Sequence, residues 1–126
     1  IDGTDVTIIA TGLMGAEAIR AQEQLGRDGI SARVVDIHTA KPLARAIIER
    51  AAAETGAIVV AEEHLVDAGL GVRVAQVVSE TRPCPMEFVG VQNTYAESAT
   101  PEQLLEKYGL MAADVAAAVR RVLKRK

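Results

Sequence analysis

Short apolar runs rich in β-branched residues recur along the chain, and between them apolar residues recur every three or four positions. A nearly continuous apolar run is typical of a strand that is buried on both faces, whereas a spacing of three or four is typical of a helix with one buried face. The pattern therefore predicts strands that alternate with helices. The predicted strands are residues 6–10, 33–37, 57–61 and 87–91.

Each predicted helix has one apolar face, and glycines end the first two. Gly29 and Gly56 stand where a left-handed residue commonly follows the last turn. Glu17 is on the polar face of the first helix, which we expect to be in solvent. The third helix is expected to end before Pro83. The residues predicted to face the core are Met14, Ala18, Ala21 and Leu25, then Leu43, Ile47, Ile48 and Ala51, then Leu70, Val74, Val77 and Val78, and in the last helix Val115, Val119 and Val122.

Strands that alternate with helices of this length imply right-handed βαβ units and a parallel sheet covered on both faces. After the fourth strand the pattern changes to two successive helices, the first beginning with the capping residue Thr100 and then Pro101. We therefore predict a single α/β domain over residues 1–126. Its expected architecture has three layers, α/β/α, around a doubly wound, mainly parallel sheet of four strands in the order 2-1-3-4.

Composition and charge exclude several classes of protein. The chain has 126 residues, 49% apolar and 25% charged, as in soluble globular domains. A net charge of −3 and 2% aromatic residues argue against nucleic-acid binding, and no apolar run approaches the ~20 residues of a membrane span. Cys84 is the single cysteine, so we expect no internal disulfide and a reducing, cytoplasmic location. The first residue is not Met, as in a domain cut from a longer protein.

In open parallel sheets, ligands bind outside the carboxyl ends of the strands, so the residues that follow each strand are candidates for a site. Thr11 and Gly12 follow the first strand. Exposed N–H groups at the start of the next helix could hold an anion there, although the segment has neither the spacing of a dinucleotide fingerprint nor the Lys of a phosphate loop. The alternative is an ordinary tight turn.

Glu62, Glu63 and His64 follow the third strand and form the densest polar cluster of the chain. Two carboxylates and an imidazole could perform acid–base chemistry. Alternatively, one carboxylate accepts hydrogen bonds from backbone N–H groups and fixes a loop, or faces a partner chain. Gly69 and Gly71 come next and would allow a helix start to pack tightly.

The remaining polar residues have simpler interpretations. Asp36 and His38 after the second strand could bind a metal ion or form a proton relay. Two ligands alone do not make a metal site, however, and the alternative is that these residues are simply the polar end of the strand. Cys84 has no histidine near it in sequence, which favours a packed thiol over a nucleophile. The basic C-terminus at 120–126 suits the negative end of its own helix dipole.

Four stretches match motifs of one family in the same order. Residues 5–12 are similar to its opening strand and turn, and 32–36 with Lys41-Pro42-Leu43 resemble its second strand and next helix start. Glu62-Glu63-His64 with Gly69-Leu70-Gly71 resembles the EEH … GGLG signature, and 95–110 resembles the closing ESGTPEELLEKYGL. Together they resemble the C-terminal domain of transketolase and its thiamine-diphosphate relatives. The His64 variant favours transketolases over deoxyxylulose-phosphate synthase or the β-chain of a 2-oxo acid dehydrogenase such as pyruvate dehydrogenase.

The resemblance implies an intact enzyme that transfers a two-carbon ketol unit between sugar phosphates, as in the pentose phosphate pathway, with thiamine diphosphate and a divalent metal such as Mg²⁺. In this family the cofactor lies between a pyrophosphate-binding domain and the partner subunit's pyrimidine-binding domain, which both precede the C-terminal domain. We therefore expect no catalytic, cofactor-binding or metal-binding residue in this chain. Its expected roles are domain packing and assembly of a homodimer.

The resemblance leaves one candidate site and one alternative function. Thr11, Gly12, Glu62, Glu63, His64, Gly69 and Gly71 are the candidate interface or anion site, and a module that binds an anion or a regulatory molecule is the alternative. Ala44, Ala68, Asn93 and Met111 depart from the family's pattern at caps and turns, and Met111 replaces a threonine that would start the last helix. The family's extra antiparallel edge strand, upstream of Asp5, is expected to be missing or short.

Overall fold

Strands and helices alternate along the chain, as the sequence pattern predicts. The structure is a computed structural model that describes residues 3–11, 14–37, 45–65, 70–91 and 111–126, with only the backbone of 63–65, 70 and 91. The helix predicted to begin at Thr100 lies outside these ranges. The strands are β1 (Val6–Ala10), β2 (Ala32–Asp36), β3 (Ile58–Leu65) and β4 (Met86–Val91), and the helices are α1 (Met14–Arg27), α2 (Arg45–Thr55), α3 (Leu70–Thr81) and α4 (Ala112–Lys124).

The four strands form one sheet in the order β2-β1-β3-β4, and all three pairings are parallel. Helices α1 and α4 cover one face of the sheet, and α2 and α3 cover the other. Successive residues of a strand point to opposite faces, so the strands contribute side chains to two separate apolar clusters. Val6, Ile8 and Ala10 face α1 and α4, whereas Ile9 faces α2 and α3. The predicted order and the three-layer α/β/α architecture are confirmed.

Most of the predicted core residues are buried, and two expectations about side-chain exposure are wrong. The described ones in α1, α3 and α4 are at most 3% exposed. Ile47 was expected in the core but is 48% exposed, because it borders an open pocket between α2 and the outer strand β2. Glu17 was expected in solvent but is 4% exposed, because its carboxylate holds the start of α4. Leu43 lies outside the described residues.

Strand β3 is longer than predicted because its polar end stays in the sheet. Its ladder with β4 pairs Ala61 with Val89 and then Leu65 with Val91, so four positions on β3 span only two on β4. Residues 62–64 therefore form an irregular, bulged segment. Such bulges re-aim side chains at the end of a strand. The apolar pattern ended at residue 61, and the sequence contains no local signal for the extension.

Both ends of the described chain lie at the amino edge of the sheet. The segment before β1 packs closely on β2: a Cβ on Gly3 would lie 2.2 Å from the carbonyl carbon of Ala32, so only glycine fits. Gly3, Thr4 and Asp5 are not part of a strand. Lys126 Nζ donates to the backbone oxygen of Asp5 at 2.9 Å, which brings the end of the chain beside the start of β1.

None of the described helices combines the length and the apolar character that a membrane span requires.

Candidate functional site

The crevice expected for a ligand in this fold lies at the carboxyl ends of β1 and β3. These are neighbouring central strands whose following helices, α1 and α3, pack on opposite faces of the sheet. Thr11 follows β1, and its backbone N–H donates to the carbonyl of Ala61 on β3 at 3.3 Å. Thr11 is therefore tied to the strand end beside Glu62. Gly12 lies outside the described residues.

Glu62 is the best-defined carboxylate of the site and is only 1% exposed. Its Oε1 accepts a hydrogen bond from the backbone N–H of Gly71 at 3.0 Å. Because Gly71 is in the first turn of α3, the carboxylate satisfies one of the N–H groups that a helix start leaves without an intrahelical partner. The negative charge also lies at the positive end of the α3 dipole. Glu62 thus connects the bulged end of β3 to the helix that follows.

Gly71 allows this connection because it brings no side chain. A Cβ at this position would lie 2.8 Å from Cδ1 of Phe88 and 3.2 Å from Oε1 of Glu62. The helix start is thereby held close to both β3 and the edge strand β4. The sequence-based expectation that this glycine lets a helix start pack tightly on the sheet is confirmed.

The other predicted residues of the cluster are described less fully. Glu63 and His64 have their backbone in the bulged part of β3, and Gly69 lies outside the described residues. The structure thus brings together Thr11, Glu62 and Gly71 at one edge of the sheet.

A second buried carboxylate, Glu17, performs the same role for α4. Its Oε2 accepts the N–H of Ala112 at 3.0 Å, across 95 residues of sequence, while Oε1 binds Arg20 Nη1 at 2.9 Å. Met111 makes no side-chain cap, as expected from the missing threonine, and its own N–H donates to Asp114 Oδ2 at 2.9 Å. Sequence reasoning missed Glu17 because its partner is so distant, and no local pattern marks it.

Asp36 places a third carboxylate at this edge, beside the start of α1. A Cβ on Gly15, in the first turn of α1, would lie 3.3 Å from Oδ2 of Asp36. This carboxylate supplies the negative charge that a helix start favours, and it would repel an anion approaching the same turn. His38 lies outside the described ranges. Among the residues that are described, no three of the His, Cys, Asp and Glu side chains are grouped so that they could hold a metal ion.

Cys84 precedes β4 and is half-buried against the apolar cluster under α2 and α3. Burial raises the pKa of its thiol above the ordinary value of 9.0. Since the thiolate is the nucleophilic form, a raised pKa lowers its reactivity at neutral pH. The structure therefore favours the prediction of a packed thiol.

The overall sequence provides the decisive comparison. Residues 1–115 match the family model described as transketolase, C-terminal domain. The chain belongs to this family. The order of motifs from residue 5 to residue 110 had indicated the same family.

Relatives of this transketolase C-terminal domain occur in more than one enzyme. The chain is 42% identical over 125 residues to the 6-deoxy-6-sulfo-D-fructose transketolase subunit SqwH of Clostridium sp. (strain MSTE9), covering 99% of this chain and 39% of the relative. It is 37% identical over 119 residues to 1-deoxy-D-xylulose-5-phosphate synthase of Heliobacterium modesticaldum, covering 94% of this chain and 18% of that protein.

A solved structure described as a split-gene transketolase, inactive β4 tetramer, matches the fold closely. Its TM-score is 0.92 at 51% sequence identity, and the match covers 98% of this chain and 40% of that one. The chain thus spans about two-fifths of the two transketolase chains and less than a fifth of the synthase.

Proposed function

We propose that residues 1–126 form a single, non-catalytic domain of a transketolase that transfers two-carbon ketol units between sugar phosphates. The identity to a split-gene transketolase chain and to a transketolase subunit supports a parent transketolase that is divided into subunits, with this domain as part of one of them. The lower identity to the deoxyxylulose-phosphate synthase, 37% against 42% and 51%, makes that enzyme the weaker candidate for the parent. In the proposed enzyme the domain packs against the other domains and helps assemble the dimer.

The observation that carries the non-catalytic role is the use of the buried carboxylates. Glu62 and Glu17 are at most 4% exposed, and each accepts a backbone N–H from the first turn of a helix. A general base must reach the proton it abstracts, so a carboxylate enclosed among backbone donors is poorly placed for that task. The same hydrogen bonds use N–H groups at the starts of α3 and α4 that an anionic ligand would otherwise bind.

Thiamine diphosphate and its divalent metal belong, in this proposal, to the pyrophosphate- and pyrimidine-binding domains of the intact enzyme. The donor set of the described residues does not suit the cofactor. Its metal needs several oxygen ligands, yet the described part of the chain has no group of three candidate ligands, and Glu62 is committed to Gly71. We further propose a cytoplasmic enzyme whose partners are those domains and a second copy of the complete assembly.

Activity measurements test the division of labour. The purified 126-residue chain is expected to show no ketol transfer and no heat of binding with thiamine diphosphate and Mg²⁺, whereas the complete enzyme shows both. Turnover by the 126-residue chain would refute the non-catalytic role. A complete enzyme that is inactive toward ketol donors and sugar phosphates would instead refute the transketolase assignment.

Titration of the chain with inorganic phosphate tests the anion-binding alternative. We expect no saturable shift of the amide signals of Thr11 and Gly71, because the Asp36 carboxylate beside the first turn of α1 repels anions and Glu62 already accepts the Gly71 N–H. A saturable shift at both residues would favour the regulatory module.

A further inference from the structure

The open pocket between helix α2 and the outer strand β2 has a volume of about 170 Å³, and none of the residues that line it belongs to the candidate site. We call it the arginine pocket. One wall is apolar, and it includes Ile47, whose side chain is 48% exposed. Strand β2 pairs only with β1 among the described strands, so this pocket lies at an open side of the sheet. The lining residues are Arg33, Val35, Ile47, Arg50 and Ala51.

The pocket carries more positive charge than its neighbour Glu54 can neutralise. Arg33 Nη1 lies 2.8 Å from Glu54 Oε1, and Arg50 Nε lies 3.3 Å from Glu54 Oε2. Hydrogen bonds from Arg33 first and Arg50 second lower the pKa of the Glu54 carboxyl, which is thus ionised at neutral pH. Among the described side chains, two guanidinium groups thus share the Glu54 carboxylate, and the three groups together carry a net charge of +1.

Hydrogen-bond donors also exceed acceptors in the pocket. A guanidinium group has five N–H donors in a planar fork. The side chain of Arg33 is only 18% exposed, and its Nε is buried with no hydrogen-bond partner among the described residues. A buried donor without a partner is energetically unfavourable. A further acceptor that enters the pocket would therefore stabilise the Arg33 side chain, either directly or after that side chain has reoriented.

From this geometry we infer that the arginine pocket receives an acidic side chain, Asp or Glu, of another polypeptide segment of the assembled enzyme. A carboxylate matches the guanidinium fork of Arg50 and Arg33, and the methylene groups of the incoming side chain match the apolar wall. Small-molecule sites usually enclose about 300 Å³ or more, so the pocket suits one side chain better than a whole metabolite. A partly desolvated arginine beside apolar contacts, such as Arg33, is a typical anchor of a protein interface, and the exposed Arg50 adds charge at the rim of the pocket. The inference rests on the proposed function, in which the other domains lie against this one.

An NMR titration of the 126-residue chain measures carboxylate binding by itself. With acetate as the probe, we expect saturable shifts of the Nε–H signals of Arg33 and Arg50 and none for Arg45, which lies on the same helix but outside the pocket. The variant Arg50→Glu should abolish the saturable shifts, whereas Arg45→Glu should leave them unchanged. Equal shifts at all three arginines would indicate general screening and would overturn the inference.

Crosslinking in the complete enzyme identifies the occupant. A benzophenone placed on Ala46→Cys, in a Cys84→Ser background, lies beside the pocket on an exposed position of α2. We expect a crosslink to a segment outside this chain that contains Asp or Glu, with a yield that falls at least about tenfold with Arg50→Glu and stays unchanged with Arg45→Glu. Acetate binding without such a crosslink would mean that the pocket takes a free carboxylate, which overturns the docking inference.

The outcomes also separate this inference from the proposed function. An enzyme that is active in ketol transfer but shows neither acetate binding nor the crosslink contradicts the inference alone. An enzyme without ketol transfer contradicts the proposed function, whatever the acetate titration shows.

Discussion

The close approach of Gly71 to the sheet predicts that Gly71→Ala destabilises the fold. An alanine Cβ would lie 2.8 Å from Cδ1 of Phe88 and 3.2 Å from Oε1 of Glu62, so the ring must move and the capping hydrogen bond is disturbed. Overpacking costs about 1–3 kcal/mol, and the better helix propensity of alanine offsets at most about 1 kcal/mol. We expect a net loss of about 1–2 kcal/mol in the free energy of unfolding.

Gly26→Ala provides the matched control, because the chemical change is the same and the surroundings differ. Gly26 is in the last turn of α1, and a Cβ there meets no heavy atom within 4 Å. Without a clash, the substitution mainly restricts the unfolded chain and favours the helix. We expect a gain of about 0.5–1 kcal/mol in the free energy of unfolding.

Urea unfolding followed by circular dichroism measures both variants. The two midpoints should lie on opposite sides of the wild-type midpoint, with the slope of each transition unchanged. Amide hydrogen exchange at residue 71 adds a local readout, since the hydrogen bond to Glu62 protects that N–H. If Gly71→Ala is as stable as the wild type and its amide stays protected, our account of the packing between α3, Glu62 and β4 is wrong.

Three further outcomes follow from other contacts. Glu17→Leu leaves the buried N–H of Ala112 without its acceptor, so we expect the free energy of unfolding in urea to fall by about 2–3 kcal/mol. The control Glu23→Leu, at an exposed position of the same helix, should change it by no more than about 0.5 kcal/mol. Equal losses in the two variants would show that the cap is dispensable. Cys84, whose thiol pKa is raised by burial, should react with iodoacetamide at pH 8 more slowly than glutathione does, and an equal rate would contradict its burial. Hydrogen bonds from Arg33 and Arg50 lower the pKa of Glu54 in the folded chain. The stability that the ionised Glu54 contributes is therefore present at neutral pH and is lost as the pH falls below the ordinary pKa of 4.5 and through the lowered pKa. If NMR of the Glu54 carboxyl carbon shows a pKa at or above 4.5, the pairing with the two arginines is excluded.

The layered fold was readable from the sequence because its signals are local. β1 has the predicted bounds, 6–10, since a continuous β-branched run ends at a polar turn. Gly29 and Gly56 have φ of 79° and 70°, the left-handed conformation expected after a helix. The structure also has the predicted strand order, 2-1-3-4.

The missed features depend on contacts between distant residues. Glu17 has the spacing of a solvent-facing residue, and only the arrival of α4 in space makes it a buried cap. Ile47 has the spacing of a core residue, but α2 does not close against the outer strand at that point. For the candidate site, the sequence predicted that one carboxylate of residues 62–63 could bind backbone N–H groups, and the structure identifies Glu62 and its donor Gly71.

The position of Lys126 beside Asp5 determines how anything fused to this domain would be oriented. A tag, fluorophore or neighbouring domain attached after Lys126 emerges from the side of the sheet opposite Thr11 and Glu62. Labels at Thr4, which is exposed, and at Lys126 would lie close enough to report unfolding by energy transfer, while the surface around the carboxyl ends of the strands stays accessible for titration.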